Sequence, residues 1–198
     1  MIEVRFHGRG GQGTVVASII LAKALFRSGF YVQSFPLFGV ERRGAPVEAF
    51  LRWDSRKILK RTNVYRPDHV VVMDSTLLQR PDTLKVITSG IKPGGFIIMN
   101  TALVPPLLEP LSENLRLAWV DATAIARKHR LGTHTHPIVN TAVIGAFARV
   151  LGVPDIASLE EAIREEIPIK TEANVQAARE AYEAVVIGDE KERGVMVS

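Results

Sequence analysis

Gly8-Arg9-Gly10-Gly11-Gln12-Gly13 follows the strand-like run Ile2-Glu3-Val4-Arg5-Phe6 and precedes a long apolar segment that begins at Thr14. A strand, a glycine turn and a helix in that order form the opening unit of an open α/β sheet. Glycines let the chain turn tightly, and a helix N-terminus offers unpaired N–H groups. Residues Gly8, Arg9, Gly10, Gly11, Gln12 and Gly13 are therefore a candidate seat for a phosphate or another anion. Two nucleotide sites fit poorly. A P-loop needs Lys and then Ser or Thr after its last glycine, whereas Gly13 is followed by Thr14-Val15. A dinucleotide site carries an acid at the end of the second strand, and Tyr31-Val32-Gln33-Ser34-Phe35 has none.

Outward from that turn, strands and helices alternate. A helix over 14–28 carries Val15, Val16, Ile19, Ile20, Leu25 and Phe26, a stripe wide enough to predict packing on more than one side. Strands are expected at 31–35, at 46–53, at 69–74, at 96–100 and at 115–120, with Asp121 capping the helix that follows. The run His69-Val70-Val71-Val72-Met73 has the form of a strand buried on both faces. The C-terminal third reads as three helices. One spans 137–151 and ends at Gly152, one opens with the capping-box pattern Ser158-Leu159-Glu160-Glu161, and one starts at Thr171. The third sets Val175, Ala178, Tyr182 and Val185 on one face. The fold expected is α/β, a mainly parallel open sheet with helices on both faces, a Rossmann-like glycine loop after strand 1 and a helical C-terminal extension. Residues 1–188 read as a single domain, and 189–198 as a polar, frayed C-terminal tail.

Composition sets bounds on function. The 198 residues are 46% hydrophobic and 23% charged, which suits a globular protein with a core. No apolar run approaches the roughly 20 residues that cross a bilayer. The N-terminus enters a strand without a secretory pattern, so a cytoplasmic protein without membrane partners is expected. The absence of cysteine excludes disulfides, thiolate-held iron–sulfur clusters and thiol catalysis within this chain. A net charge of +4 does not by itself imply nucleic acid. The basic residues concentrate locally at Arg52, Arg56, Lys57, Lys60 and Arg61, which reads as a solvated face or an interface to an acidic partner.

A second anion-seeking element is Phe38-Gly39-Val40-Glu41-Arg42-Arg43-Gly44-Ala45-Pro46. Arg42 and Arg43 suit a carboxylate or phosphate, and after the second strand they would share the sheet edge with the glycine turn. Asp74 ends a buried strand and either faces a ligand or caps the turn at Ser75-Thr76. Asn140, in the first turn of a helix, caps it or touches a partner. His134 and His136 lack the nearby Cys or carboxylates of a metal set. No Ser-His-Asp arrangement, G-x-S-x-G or paired-carboxylate signature is present, so no catalytic residue and no metal ligand is assigned.

These motifs, in order, resemble the gamma subunit of the pyruvate and other 2-oxoacid:ferredoxin oxidoreductases. The resemblance rests on His7 to Gly13, on Glu41-Arg42-Arg43-Gly44-Ala45-Pro46-Val47-Glu48-Ala49-Phe50-Leu51-Arg52, on Pro67-Asp68 ahead of a strand ending in Asp74, and on Ile138-Val139-Asn140-Thr141-Ala142-Val143-Ile144-Gly145-Ala146. It spans about residues 3 to 152. It implies a supporting subunit, inactive alone, of an enzyme that oxidatively decarboxylates a 2-oxoacid, joins the acyl group to coenzyme A and passes electrons to ferredoxin. It further implies that thiamine diphosphate and iron–sulfur clusters reside in partner subunits. On this resemblance, coenzyme A lies at the assembled interface against Gly8 to Gly13, with Arg42, Arg43 and Asn140 touching it or the neighbouring subunit. A stand-alone nucleotide-binding oxidoreductase and a non-catalytic module binding an acidic protein remain open alternatives.

Overall fold

A computed structural model gives the structure of the chain, described for residues 1–37, 44–111 and 113–188. Strand β1 (Ile2–Arg9) runs through the first glycine and leads through the turn into helix α1 (Thr14–Arg27). Strands β2 (Tyr31–Leu37) and β3 (Pro46–Asp54) follow, then β4 (His69–Val72), α2 (Pro81–Thr88), β5 (Phe96–Asn100), β6 (Arg116–Val120) and α3 (Ala122–Lys128). Helices α4 (Asn140–Leu151), α5 (Ile156–Glu166) and α6 (Thr171–Ala184) complete the expected C-terminal helices, and the short β7 (Val186–Ile187) returns to the sheet edge. The tail 189–198 lies outside the described residues.

All seven strands form one sheet in the order β2-β3-β1-β4-β5-β6-β7. The expectation of a mainly parallel sheet needs correction, because the sheet is mixed. The ladders β1–β4, β4–β5 and β5–β6 are parallel, whereas β2–β3, β3–β1 and β6–β7 are antiparallel. The connection from Leu37 to Pro46 is too short for a parallel crossover, which takes a dozen or more residues. β3 therefore turns back and enters between β1 and β2.

Alternation along the strands separates two apolar layers. Val4 and Phe6 of β1, Ala49, Leu51 and Trp53 of β3, and Val71 and Ile98 of β4 and β5 face α1 and the C-terminal helices. Val70, Val72, Ile97 and Met99 face α2 and the turns around Leu77 and Leu108. Helices thus cover both faces. Two local expectations shift. Asp155, not Ser158, caps α5, accepting the Ser158 N–H at 2.9 Å, because the helix starts at Ile156 and takes Ser158 into its first turn. Phe26, assigned to the buried stripe of α1, is 67% exposed at the helix end. Asp121 caps α3 as expected, through the Ala124 N–H at 2.8 Å.

Next to β1 and β3 the second face of the sheet is charged. It carries Glu3, Arg5 and His7 from β1 and Arg52 from β3, all buried. Arg52, counted with the basic surface cluster in the sequence, has no exposed surface, and its Nε donates to Glu3 Oε1 at 2.7 Å. Burial pushes the Glu3 carboxyl up, but hydrogen bonds from Arg52 and Lys60 outweigh it and hold the group below its ordinary value. Arg5 sends its guanidinium to the carbonyls of Ile87 and Ser89, both at 2.8 Å, and so caps the C-terminus of α2.

Helices α4 and α6 meet backbone to backbone at Gly145. A Cβ on Gly145 would stand 2.0 Å from the Ala178 carbonyl oxygen, so only glycine lets these backbones meet. Gly145→Ala should destabilise the protein by about 1–3 kcal/mol through overpacking, read as a lower urea midpoint. An unchanged midpoint would show that α6 can move away freely.

Candidate functional site

The C-terminal ends of β1, β4, β5 and β6 open onto one rim, the edge where open α/β sheets bind ligands. A cavity of about 490 Å³ lies there, lined by Arg9, Gly10, Gly11, Gln12, Gly44, Asp74, Thr123, Thr135, His136, Pro137 and Val139. The glycine turn is one wall. Gly10 is held on both sides, its N–H donating to Ala45 O at 2.9 Å and its carbonyl accepting from Gly44 N at 3.1 Å. The end of the arginine-containing connection is thus seated against the turn. Arg42 and Arg43 themselves lie outside the described residues.

Asp74 organises the polar wall. Its carboxylate accepts from Gln12 Nε2 at 2.8 Å, from the Thr76 N–H at 2.9 Å and from Thr76 Oγ1 at 2.6 Å, and lies 3.2 Å from Arg9 Nε. Arg9 also donates to Thr76 Oγ1 at 3.0 Å and to the Gly44 carbonyl at 3.1 Å. Gln12 closes the turn by accepting the Arg9 N–H on Oε1 at 2.8 Å. Asp74 therefore caps the turn, one of the two expectations for it, and also lines the cavity. The sequence reading took Thr76 only as part of the turn that Asp74 caps, and its bond from Arg9 was not foreseen. At the next strand end, Asn100 Nδ2 donates to the Met73 carbonyl at 2.9 Å and to Thr123 Oγ1 at 3.0 Å, fixing the rim between β4 and α3.

The expected residues divide among three places. Gly8 is inside β1, paired with Val47, and borders a separate cavity of about 270 Å³ with His7 and Glu48. Arg9 to Gln12 line the rim cavity. Gly13 and Asn140 belong to a third cavity of about 480 Å³, walled by Val16, Ile138, Ile167 and Ile169 on the other side of the turn, and Gly11 borders both. Gly13 has φ +80°, and a Cβ there would come within 2.6 Å of Asn140 Nδ2. Asn140 does not cap α4, whose N-cap is Val139 without a side-chain bond; as the first helical residue it accepts the Thr141 N–H at 2.9 Å, and its amide packs against the turn. With the N–H groups of Gly10 and Gln12 engaged, those of Gly11 and Gly13 make no hydrogen bond among the described residues. His136 reaches the rim cavity, its Nδ1 3.0 Å from Thr135 Oγ1, while His134 faces away from it. Among the described residues no group of three or more His, Asp or Glu side chains is placed to hold a metal ion.

Comparison with known proteins supplies a setting for this geometry. Residues 3–184 match the family profile of pyruvate ferredoxin/flavodoxin oxidoreductase. The chain is 50% identical over 190 residues to the pyruvate/ketoisovalerate oxidoreductases common subunit gamma of Thermococcus litoralis, covering 94% of this chain and 98% of that protein. It is 50% identical over 184 residues to pyruvate synthase subunit PorC of Methanothermobacter marburgensis, with 92% and 97% covered. The crystal structure of pyruvate oxidoreductase subunit PORC from Thermotoga maritima superposes with a TM-score of 0.77 at 35% identity, covering 94% of this chain and 98% of that one.

Two outcomes follow from the geometry. Asp74→Ala leaves Gln12 and Arg9 without their shared acceptor, so the Arg9 amide held by Gln12 should exchange with deuterium about tenfold faster, equivalent to about 1.4 kcal/mol. Unchanged exchange would show that Gln12 is held without Asp74. Beside the turn, Arg5 Nε donates to His7 Nε2 at 3.0 Å, placing the neutral ring's proton on Nδ1, 3.7 Å from Glu48. Burial, with the Arg5 charge beside it, pushes His7 down to about 3 from its ordinary 6.5. The unfolded chain thus binds a proton that the folded protein refuses. The stability contributed by neutral His7 is full above about pH 6.5 and falls by about 1.4 kcal/mol per pH unit as pH drops toward 3. Urea denaturation should show the wild type losing about 2 kcal/mol more than His7→Asn between pH 7 and pH 5. Equal losses would show that His7 protonates in the folded state.

Proposed function

The chain belongs to the pyruvate ferredoxin/flavodoxin oxidoreductase family as a gamma-type subunit, and from that premise we propose that its rim cavity holds the phosphate-bearing part of coenzyme A where it meets a companion subunit. The observation that carries this reading is Arg9. Its guanidinium is held by Asp74 and Thr76 at the mouth of the cavity, beside Gly11, whose N–H makes no hydrogen bond among the described residues. A held arginine meets an anion with less loss of conformational freedom than a mobile one. Asp74 offsets much of its charge, so a second cation is required for a polyphosphate. Arg42 or Arg43, on the connection that ends against Gly10, is the candidate for that role.

In this reading the chain positions a substrate and performs no bond chemistry. Thiamine diphosphate and iron–sulfur clusters, held by companion subunits, supply the decarboxylation and the electron transfer to ferredoxin. This chain has no cysteine with which to hold such a cluster. Its own residues act by binding and orientation. Arg9 and the Gly11 amide fix phosphate oxygens, Gln12 keeps the turn closed, and Thr123 and His136 line the far wall. The assembly operates in the cytoplasm. The rival reading of a stand-alone dinucleotide enzyme loses support from β3, which separates β1 from β2 where a dinucleotide site needs them adjacent.

The test is the assembled enzyme with Arg9→Ala. Loss of a charge-assisted hydrogen bond of about 1.5–3 kcal/mol should raise the Michaelis constant for coenzyme A roughly tenfold to a hundredfold, with that for the 2-oxoacid unchanged. An unaltered constant for coenzyme A would overturn the assignment.

A further inference from the structure

The connection between β3 and β4, residues 55–68, is a long segment without regular structure, lying across the charged face of the sheet. Segments of this length without secondary structure are uncommon in compact domains and are usually functional. This one is firmly anchored. The buried Arg52 guanidinium takes the carbonyls of Thr62 and Asn63, Gln33 Nε2 donates to the Ile58 carbonyl at 3.3 Å, and Lys60 Nζ is 3.0 Å from Glu3. Val64 is buried beneath it. The anchors are mostly main-chain carbonyls turned inward, which leaves most of the side chains outside.

Those outer side chains are of one kind. Arg56, Lys57, Arg61 and Arg66 are exposed, and between them stand Leu59, 79% exposed, and Tyr65, 71% exposed. No acid occurs from Ser55 to Pro67. The acids nearby are already engaged: Glu3 by Arg52 and Lys60, Asp54 by the N-terminal ammonium at 2.8 Å, and Asp68 by Lys92 at 2.7 Å. On the helices the pattern differs at several positions. Lys23 and Arg27 of α1 meet Glu165 of α5, and Lys128 meets Glu180 of α6. A row of four cations with no acid partner among the described residues repels itself and creates a positive potential that an outside anionic surface would relieve.

We propose that this strap is a docking surface for an acidic face of a companion subunit, with Tyr65 and Leu59 at its centre and Arg56, Lys57, Arg61 and Arg66 around them. Exposed Tyr and Leu ringed by Arg have the anatomy of a protein interface, with an apolar centre and a charged rim. That the partner is a subunit rests on the family membership. The strap stands at the Glu3 end of β1 and the rim cavity at the Arg9 end, about 20 Å apart at the rise of a strand. The two surfaces share no residue, so each can be altered without touching the other.

The test compares the wild-type chain, the triple variant Arg56→Glu, Lys57→Glu, Arg61→Glu, and Tyr65→Ala, each co-produced with the companion subunits. None of these side chains holds the strap's internal bonds, and circular dichroism and the thermal midpoint should match the wild type. The triple variant should raise the dissociation constant for the companion subunits at least tenfold and flatten its dependence on salt, and Tyr65→Ala should raise it several-fold. The Michaelis constant for coenzyme A should stay the same in the complex that remains. Wild-type affinity and salt dependence in both variants would overturn the inference. So would loss of single-stranded RNA or phosphatidylglycerol-vesicle binding without any effect on assembly, which would give the strap to another anion. A strap variant that assembles normally and shows coenzyme A-dependent turnover removes only this inference and leaves the cavity assignment standing.

Discussion

The antiparallel ladder of β3 against β1 is the constraint on which the rest of the structure depends. It runs the full length of β1, from Ile2 opposite Trp53 to Arg9 opposite Pro46. At one end it delivers Gly44 and Ala45 to the glycine turn, so the two anion-seeking segments of the sequence meet. At the other it places Arg52 over Glu3 and gives the strap its anchor. Slipping the register by one residue would turn Ala49, Leu51 and Trp53 out of the larger core and Arg52 into it. The same pairing therefore fixes hydrophobic burial and the position of every charged group on the opposite face.

Charge on that face is expensive unless it is paired and hydrogen-bonded, and the molecule meets this condition residue by residue. Arg52 has Glu3 and two carbonyls, Arg5 has the end of α2, and His7 stays neutral with Arg5 donating to it. An apolar face could have been covered by a helix, as Val70 and Val72 are covered by α2. Beside β1 and β3 a hydrogen-bonded strap takes the place of that helix. Polar anchoring demands definite geometry, because each carbonyl must reach its donor, and so it fixes the strap's course more narrowly than an apolar contact would.

Much of this was legible in the sequence. The first six strands, the helices after β1 and β6, the C-terminal helices, the glycine turn and the capping role of Asp121 follow from local patterns that read one segment at a time, whereas α2 and the short β7 were not expected. The placement of β3 was not legible, because Val47, Ala49, Leu51 and Trp53 alternate in the same way in a parallel or an antiparallel ladder. Only the short connection from β2 distinguishes the two, and a strand count by itself passes over it. Arg52 was misplaced on the surface for a related reason. A cation among four others in sequence looks solvated, and its burial depends on Glu3, distant in the chain and adjacent in the sheet. At the site, Gly8 and Asn140 were grouped with Arg9 by motif, yet the pleat turns Gly8 to another face and the turn itself separates Asn140 from the cavity.

The two ends of β1 treat charge in opposite ways, and the difference bears on how the subunit works. At the rim, Arg9 is drawn onto Asp74 and Thr76, so its field is largely closed within the protein and it acts on an anion that comes into contact. Along the strap, the nearby acids are already engaged and the field of the four cations reaches outward over roughly the Debye length of 8 Å. A closed charge favours selectivity, since a ligand must offer more than Asp74 already provides. An open charge favours rapid encounter with a large surface, since attraction begins before contact. The proposed coenzyme A site would use the first and the proposed docking surface the second, and a single eight-residue strand separates them.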